Sequence, residues 1–176
     1  MYVNGFRLEL FGQSQIVLVS QRLQRAIGLD LCHEVIEDGG DIVIGEYDHD
    51  TDEYKRVVIH EKLESDDHNN PAVVILPDGR IMAVYTMHTN EAYVYYRVTK
   101  NPEDISEWND EQFYLCQSVT PEDTNVYYAT YPSVFMVHDD CGIIGNDVIY
   151  MGWRGVHWKP TFAKFSMPDE EGKCET

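Results

Sequence analysis

Two histidines flank a predicted β-hairpin, and imidazoles in such a place can do acid–base chemistry near neutral pH. The hairpin is predicted from an apolar run at 72–76, a Pro-Asp-Gly-Arg turn at 77–80 and a second apolar run at 81–85. Because paired antiparallel strands bring their far ends together, His68 and His88 should lie on one rim of a sheet. The sequence therefore predicts a site at this rim.

Two further groups of side chains are candidate binding residues. Asparagine amides beside the first histidine could bind hydroxyl groups, or could only cap the turn into the next strand. An aromatic and basic patch near the C-terminal end fits a glycan surface, because indoles stack on sugar rings and cations attract anionic sugars; packing between sheets explains it equally well. The candidates are Asn69, Asn70, Trp153, His157, Trp158 and Lys159.

The charge of the chain limits its partners. The 176 residues include 31 acidic and 13 basic side chains, for a formal net charge of −18. Such a charge repels phosphate backbones and anionic lipids, so neither nucleic acid nor a membrane is predicted as a partner. No run approaches the roughly 20 apolar residues of a membrane span, and the N-terminal residues lack a signal-peptide pattern. As given, the chain is predicted to be cytoplasmic, or secreted if its N-terminus is truncated.

Neither a metal nor a cofactor is predicted. The four cysteines show no C-x-x-C spacing and fit unpaired thiols in a reducing compartment, although one or two disulfides stay open. Ligand-type residues cluster at 48–50 and 138–141, but adjacent ligands in short turns seldom make a closed tetrahedral site. A solvated acidic turn is the simpler explanation of both segments.

The charge distribution divides the chain into two parts. Residues 1–35 are net neutral, whereas residues 36–176 carry the whole net charge of −18. We therefore treat 1–35 as an atypical N-terminal segment of uncertain structure. Within it, 15–19 could form a strand and 21–27 a helical turn or two.

The second part is predicted to be all-β, because short β-like runs alternate with turn residues and no helical period is sustained. Pro71 and Pro132, roughly 60 residues apart, each open a similar strand–turn–strand unit. Such a repeat is typical of antiparallel four-stranded β-propeller blades, with proline at the start of the innermost strand. The predicted strands are Asp41–Tyr47, Lys55–Glu61, Ala72–Leu76, Arg80–Thr86, Tyr93–Val98, Gln112–Leu115, Ser133–Val137, Asp147–Trp153 and Thr161–Phe165.

Four segments also stand in the order typical of one known family. They read DDHNNPAVVILPDGRI, YRVTKNPEDISEW, ATYPSV and WRGVHWKPTF, and they resemble the BNR-repeat, sialidase-like β-propeller family that includes the ulvan lyases. The resemblance covers about residues 40–172, and residues 165–173 resemble a degenerate Asp-box turn. Complete members have several blades, so we expect 36–176 to be a partial propeller of about two full blades plus parts, belonging to a fragment.

The resemblance implies a catalytic group of His68, His88, Tyr131 and Arg154. A uronate lyase must neutralise the C6 carboxylate, remove the C5 proton and protonate the leaving 4-oxygen, and these residue types suit those tasks. Either histidine would be the base or the carboxylate neutraliser, Tyr131 the proton donor or base, and Arg154 the charge-assisted clamp. Simpler explanations are rim hydrogen bonding for the histidines, packing for Tyr131 and aromatic stacking for Arg154.

The predicted function is that of a carbohydrate-active β-propeller resembling polysaccharide lyases that cleave uronate-containing glycans by β-elimination. The predicted partner is an acidic polysaccharide or oligosaccharide. The alternatives are a non-catalytic carbohydrate-binding propeller or inactive gene fragment, and a sialidase-like glycoside hydrolase, although the scattered acids reveal no carboxylate pair that could flank a bond. An unclosed propeller exposes sheet edges, so self-association through them is also expected.

Overall fold

A computed structural model describes residues 2–3, 6–7, 29–36, 40–48, 51–64, 66–88, 92–116, 129–138, 146–155 and 159–176. Within these ranges the regular elements are strands, apart from one 3₁₀ turn at Asp67–Asn69, and no helix is long and apolar enough to span a bilayer. The predicted all-β fold is therefore confirmed. The strands are β1 (Tyr2–Val3), β2 (Phe6–Arg7), β3 (Leu29–Ile36), β4 (Asp41–Asp48), β5 (Glu53–His60), β6 (Ala72–Ile75), β7 (Ile81–Thr86), β8 (Tyr93–Val98), β9 (Gln112–Leu115), β10 (Thr130–Val137), β11 (Val148–Arg154) and β12 (Pro160–Ser166).

The strands pair in sequence order as antiparallel sheets. Beyond the small β1–β2 hairpin, three sheets form successive propeller blades: blade 1 (β3–β4–β5), blade 2 (β6–β7–β8–β9) and blade 3 (β10–β11–β12). Among the described residues only blade 2 has the four predicted strands, and blades 1 and 3 have three each. The predicted strand at 15–19 and helical turn at 21–27 lie outside the described residues.

Blade 1 includes a strand that the sequence patterns did not reveal. β3 pairs with β4 along its whole length, from Leu29 opposite Asp48 to Ile36 opposite Asp41. The change in charge composition between residues 35 and 36 therefore falls at the end of β3. It does not separate two structural units, because β3 and β4 belong to the same sheet.

The turn between β6 and β7 forms as its sequence predicts. Gly79 has a φ of +85°, where a side chain would be strained, and an added Cβ would also lie 2.9 Å from the Cβ of Pro102. The N–H of Gly79 donates to the carbonyl of Leu76, and the N–H of Leu76 donates to the carbonyl of Arg80. This tight turn fixes the register, so the residues before β6 and after β7 meet at the opposite edge of the blade.

The hydrophobic core consists of two clusters on either side of β7, whose six residues are all buried. Because successive strand side chains point to opposite faces, Ile81, Ala83 and Tyr85 pack towards blade 1, whereas Met82 and Val84 pack towards blade 3. The partners from blade 1 include Ile42, Ile44 and Ile59, and those from blade 3 include Ile149, Met151 and Phe165. Blade 2 is therefore covered on both faces.

A turn follows β12 where the sequence resembles an Asp-box turn. The carboxylate of Asp169 accepts the N–H of Lys173, and the N–H of Ser166 donates to the carbonyl of Glu175. The guanidinium of Arg80 donates to the carbonyls of Pro168 and Asp169. This turn therefore connects blade 3 with the β6–β7 turn of blade 2.

Cys116 and Cys174 are buried free thiols. Burial raises the pKa of each to about 12, so both are protonated and unreactive near neutral pH. The side chain of Cys32 and the whole of Cys141 lie outside the described part of the chain.

Candidate functional site

The four predicted catalytic residues meet where the equivalent edges of two blades adjoin. Here the edge of a blade means the side on which its strand ends lie. In each blade the start of the first strand and the end of the second lie at the same edge, because the two strands are antiparallel. His68 and His88 occupy this edge of blade 2, and Tyr131 and Arg154 occupy it in blade 3. β10 packs against β6, β7 and the 3₁₀ turn, which brings the two edges together. We name these four residues the edge site.

The side chains of the edge site are in contact. The imidazoles of His68 and His88 stack with their centroids 4.1 Å apart and their planes 7° from parallel, so the expected proximity of the two histidines is confirmed. The ring of Tyr131 lies 4.8 Å from that of His68. Arg154 places its guanidinium carbon 4.6 Å from the centre of the Tyr131 ring and its Nη2 3.4 Å from Nε2 of His88.

Asp66 joins both histidines through one carboxylate. It is the N-cap of the 3₁₀ turn and accepts the backbone N–H of His68 at 2.8 Å. Its Oδ1 lies 2.5 Å from Nδ1 of His68, and its Oδ2 lies 2.9 Å from Nδ1 of His88. Burial acts to raise the pKa of Asp66, but the hydrogen bonds from the His68 backbone and from both rings outweigh it and hold the pKa below its ordinary value.

Glu64 anchors the backbone behind the imidazoles. Its Oε2 accepts the N–H of His88 at 2.6 Å and the side-chain amide of Asn69 at 3.1 Å. Asn69 is fully buried and Asn70 is half-buried. Because Asn69 is buried and its amide donates to Glu64, it has no exposed surface for the sugar-binding role predicted for it.

Tyr131 reaches the histidines from an irregular backbone. The register of β10 against β11 shifts between Thr130 and Ser133, which is a β-bulge, and Tyr131 has a φ of +52°. The left-handed region costs a non-glycine residue of order 1–3 kcal/mol. The Tyr131 side chain nevertheless remains 50% exposed beside His68. A strained residue with a solvent-facing ring is typical of a functional position rather than of core packing.

Arg154 supplies positive charge to the edge site. It lies opposite Thr130 in the register of blade 3, and its Nη2 is 3.5 Å from the hydroxyl of Thr130. The guanidinium stacks on the ring of Tyr131. In a chain of net charge −18, this guanidinium is the basic side chain of the edge site.

The histidines and Asp66 also form a group of the type that binds metals. One ligand atom from each of Asp66, His68 and His88 lies within 4.8 Å of the other two. A metal must lie near the plane of each imidazole that binds it, about 2 Å from the nitrogen. Two nearly parallel rings with centroids 4.1 Å apart cannot both meet this condition around one ion. In this arrangement the residues do not fit a shared metal.

The predicted aromatic and basic patch is only partly described. Trp153 is 6% exposed and packs against Tyr114, with ring centroids 5.9 Å apart. Its indole points into the core between blades 2 and 3, so it is not available to stack on a sugar. Lys159 is exposed, and its carbonyl accepts the N–H of Gly155. His157 and Trp158 lie outside the described residues.

A second polar cluster lies between blades 1 and 2. The carboxylate of Glu111 accepts the hydroxyl of the buried Tyr85 at 2.6 Å and lies 2.6 Å from Nδ1 of His60. Burial acts to raise the pKa of Glu111, but these two hydrogen bonds outweigh it, so the pKa is lowered. Burial also raises the pKa of Tyr85 well above its ordinary value. This cluster joins two blades through hydrogen bonds that include a buried group.

The hairpin predicts that the two histidines share a rim, and the family resemblance implies all four edge-site residues, but neither singles out Asp66 or Glu64. An aspartate two residues before a histidine fits an Asx turn, and that was a usable signal for Asp66. Glu64 gives no such local signal, because its partners Asn69 and His88 are set by the fold.

Comparison with known protein families gives a match to this chain. The model of a family described as BNR repeat-containing family member matches residues 35–174. A search of the curated proteins finds no match to this chain. The matched range begins within β3 and ends at Cys174, so it includes every residue of the edge site.

Proposed function

This chain belongs to the BNR repeat-containing family, and we propose that it is a carbohydrate-active β-propeller whose edge site cleaves uronate-containing glycans by β-elimination. The observation that supports this proposal is the contact of two stacked imidazoles, a half-exposed tyrosine and an arginine at one blade edge. Acid–base groups and a cation thus lie within reach of a single sugar ring.

β-Elimination on a uronate needs three functions in one place. A cation must neutralise the C6 carboxylate, so that negative charge can build up when C5 loses its proton. A base must take that proton as the C4–C5 double bond forms and the C4–O bond breaks. An acid must give a proton to the departing oxygen. The edge site has a group suited to each of these tasks.

The geometry supports particular roles. Arg154 is the clamp for the carboxylate, because a guanidinium forms two parallel bonds with a carboxylate. Tyr131 and the two imidazoles are the acid–base groups, and their exposed fractions let a substrate reach them: 50% for Tyr131, 27% for the His68 side chain and 22% for that of His88. The base is therefore Tyr131 or a histidine, and the other protonates the leaving group.

The carboxylates at this edge do not favour hydrolysis. Most glycoside hydrolases need two carboxyl groups that flank the scissile bond, one to donate a proton and one to act as base or nucleophile, whereas sialidases use a tyrosine nucleophile. Here Asp66 and Glu64 are both engaged with the histidines, through ring nitrogens and a backbone N–H. These hydrogen bonds support a positioning role for the two carboxylates.

The test is product formation from an acidic polysaccharide such as ulvan, followed by the ultraviolet absorbance of a 4,5-unsaturated uronate. His68→Ala, His88→Ala and Arg154→Ala should each lower the rate by about 10²-fold or more, the usual scale for an acid–base or charge-stabilising group. His138→Ala is the matched control. His138 also pairs with a carboxylate, 3.0 Å from Asp147, but follows the far end of β10.

Three outcomes would contradict the proposal. Full activity in both histidine variants would show that the site is elsewhere. Products without a double bond would indicate hydrolysis. Binding of the polymer without turnover would support a non-catalytic carbohydrate-binding module.

A further inference from the structure

We propose that Asp66 is a positioning residue that holds both imidazoles of the edge site in the Nδ1–H tautomer, so that each neutral ring carries its lone pair on Nε2. This inference deepens the proposed function, and it rests on that function only for its kinetic consequence. The tautomers themselves can be tested without any substrate.

The first step is to determine which nitrogen atoms around the Asp66 carboxylate carry a hydrogen. An ionised carboxylate can only accept hydrogen bonds. Nδ1 of His68 lies 2.5 Å from Oδ1 of Asp66, and Nδ1 of His88 lies 2.9 Å from Oδ2. Both nitrogens must therefore carry the hydrogen. Each oxygen serves one ring, so the same carboxylate fixes both.

The second step comes from the other side of His88. An arginine side chain has donors and no acceptor. Because Nη2 of Arg154 lies 3.4 Å from Nε2 of His88, the favourable arrangement places the lone pair of His88 on Nε2. Asp66 and Arg154 thus independently favour the same tautomer of His88.

The third step is the effect on orientation. The Asp66 carboxylate is held by the backbone N–H of His68, and His88 is held through its own N–H by Glu64. Fixed at both backbone and ring, the two imidazoles stay stacked, 7° from parallel. A base fixed in tautomer and orientation needs no reorganisation when a proton is transferred.

The experiment uses the full chain labelled with nitrogen-15 at histidine, at about pH 8, above the ordinary range of imidazole titration. Nitrogen-15 chemical shifts distinguish the two neutral tautomers, and spectra of His68→Ala and His88→Ala assign the two rings. We expect both rings to be Nδ1–H in the wild type. The wild-type spectrum alone tests the assignment, because Nε2–H in either ring would overturn it.

The variant Asp66→Asn keeps the N-cap, since asparagine caps as well as aspartate does. Its side chain has one acceptor oxygen, and its NH₂ group presents donors in place of the other oxygen. At least one ring should therefore change to Nε2–H, and kcat should fall by about 10²-fold with little change in KM, as for other orienting groups. Both rings keeping Nδ1–H in this variant would contradict the proposal, as would a tautomer change with full kcat.

Asp104→Asn is the matched control. Asp104 accepts the N–H of the residue two positions later, Ser106, just as Asp66 accepts that of His68, but its neighbour is not a histidine. This variant should change neither the histidine tautomers nor the rate. If the wild type shows no lyase activity, the proposed function fails, while the nitrogen-15 spectra still decide the tautomers.

Discussion

The positive φ of Tyr131 predicts that glycine at this position is more stable than alanine, the reverse of the usual order in a strand. In an ordinary strand, glycine is less stable than alanine by about 0.5–1 kcal/mol, because glycine loses more backbone entropy on folding. At a φ of +52°, alanine has an additional cost of about 1–2 kcal/mol, which glycine avoids. From the midpoints of these two ranges, about 1.5 and about 0.75 kcal/mol, Tyr131→Gly should be more stable than Tyr131→Ala by about 0.75 kcal/mol. Both variants lose the same half-exposed ring, so the loss of side-chain contacts cancels.

Thermal or urea denaturation of the two variants measures this difference. For a chain of this size, 1 kcal/mol corresponds to about 2–4 °C in Tm, so Tyr131→Gly should melt about 1–4 °C higher than Tyr131→Ala. The same pair of substitutions at Phe135 is the control. Phe135 is 42% exposed in the same strand and is not among the described residues with positive φ. There the order should reverse.

The outcome also tests the link between strain and function. Both Tyr131 variants should lose about 10²-fold or more in rate if the phenol has the acid–base role proposed for it. Greater stability of Tyr131→Ala would refute the strained backbone. Full activity in Tyr131→Gly would refute the role of the tyrosine.

Three further predictions concern the fold and its charges. Ile149 is fully buried between blades, so Ile149→Ala should destabilise the protein by about 2–5 kcal/mol and lower Tm by about 4–20 °C. Phe162 is 56% exposed, so Phe162→Ala should cost about 1 kcal/mol. Calorimetry of both variants checks this contrast. Folding lowers the pKa of Glu111, so its ionised form stabilises the fold fully above the ordinary pKa of about 4.3, and this stabilisation is lost as the pH falls through the lower folded-state pKa. The Tm of Glu111→Gln should therefore depend less on pH than that of the wild type below about pH 5. A net charge of −18 causes self-repulsion that salt screens, so Tm should rise from low to moderate ionic strength, and a Tm that is independent of salt would contradict this.

The sequence predicted the strands of blade 2 well, because its hairpin carries strong local signals. Gly79 sits where the turn requires positive φ, and Tyr93–Val98 and Gln112–Leu115 have the bounds that the sequence predicts. β10 begins earlier than predicted, at Thr130, because the bulge around Tyr131 interrupts the alternation of side chains. β3 went unrecognised, since its pairing with β4 depends on tertiary contacts rather than on a local pattern.

The family resemblance implied the four residues of the edge site, but it did not give their arrangement. The hairpin alone brings His68 and His88 to one rim. The positions of Tyr131 and Arg154 beside them depend on how two blades pack, which no local spacing encodes. Composition alone predicted a binding role for Trp153. Because successive side chains of a strand point to opposite faces, Arg154 faces the site and the indole of Trp153 points into the core.

The most direct test of the central claim is to digest an acidic polysaccharide in water enriched in oxygen-18 and to analyse the products by mass spectrometry. β-Elimination at the edge site breaks the C4–O bond without adding water, so every cleavage should yield an unsaturated end and no heavy oxygen from the cleavage step. Incorporation of one heavy oxygen per bond cleaved would show hydrolysis and would contradict the account.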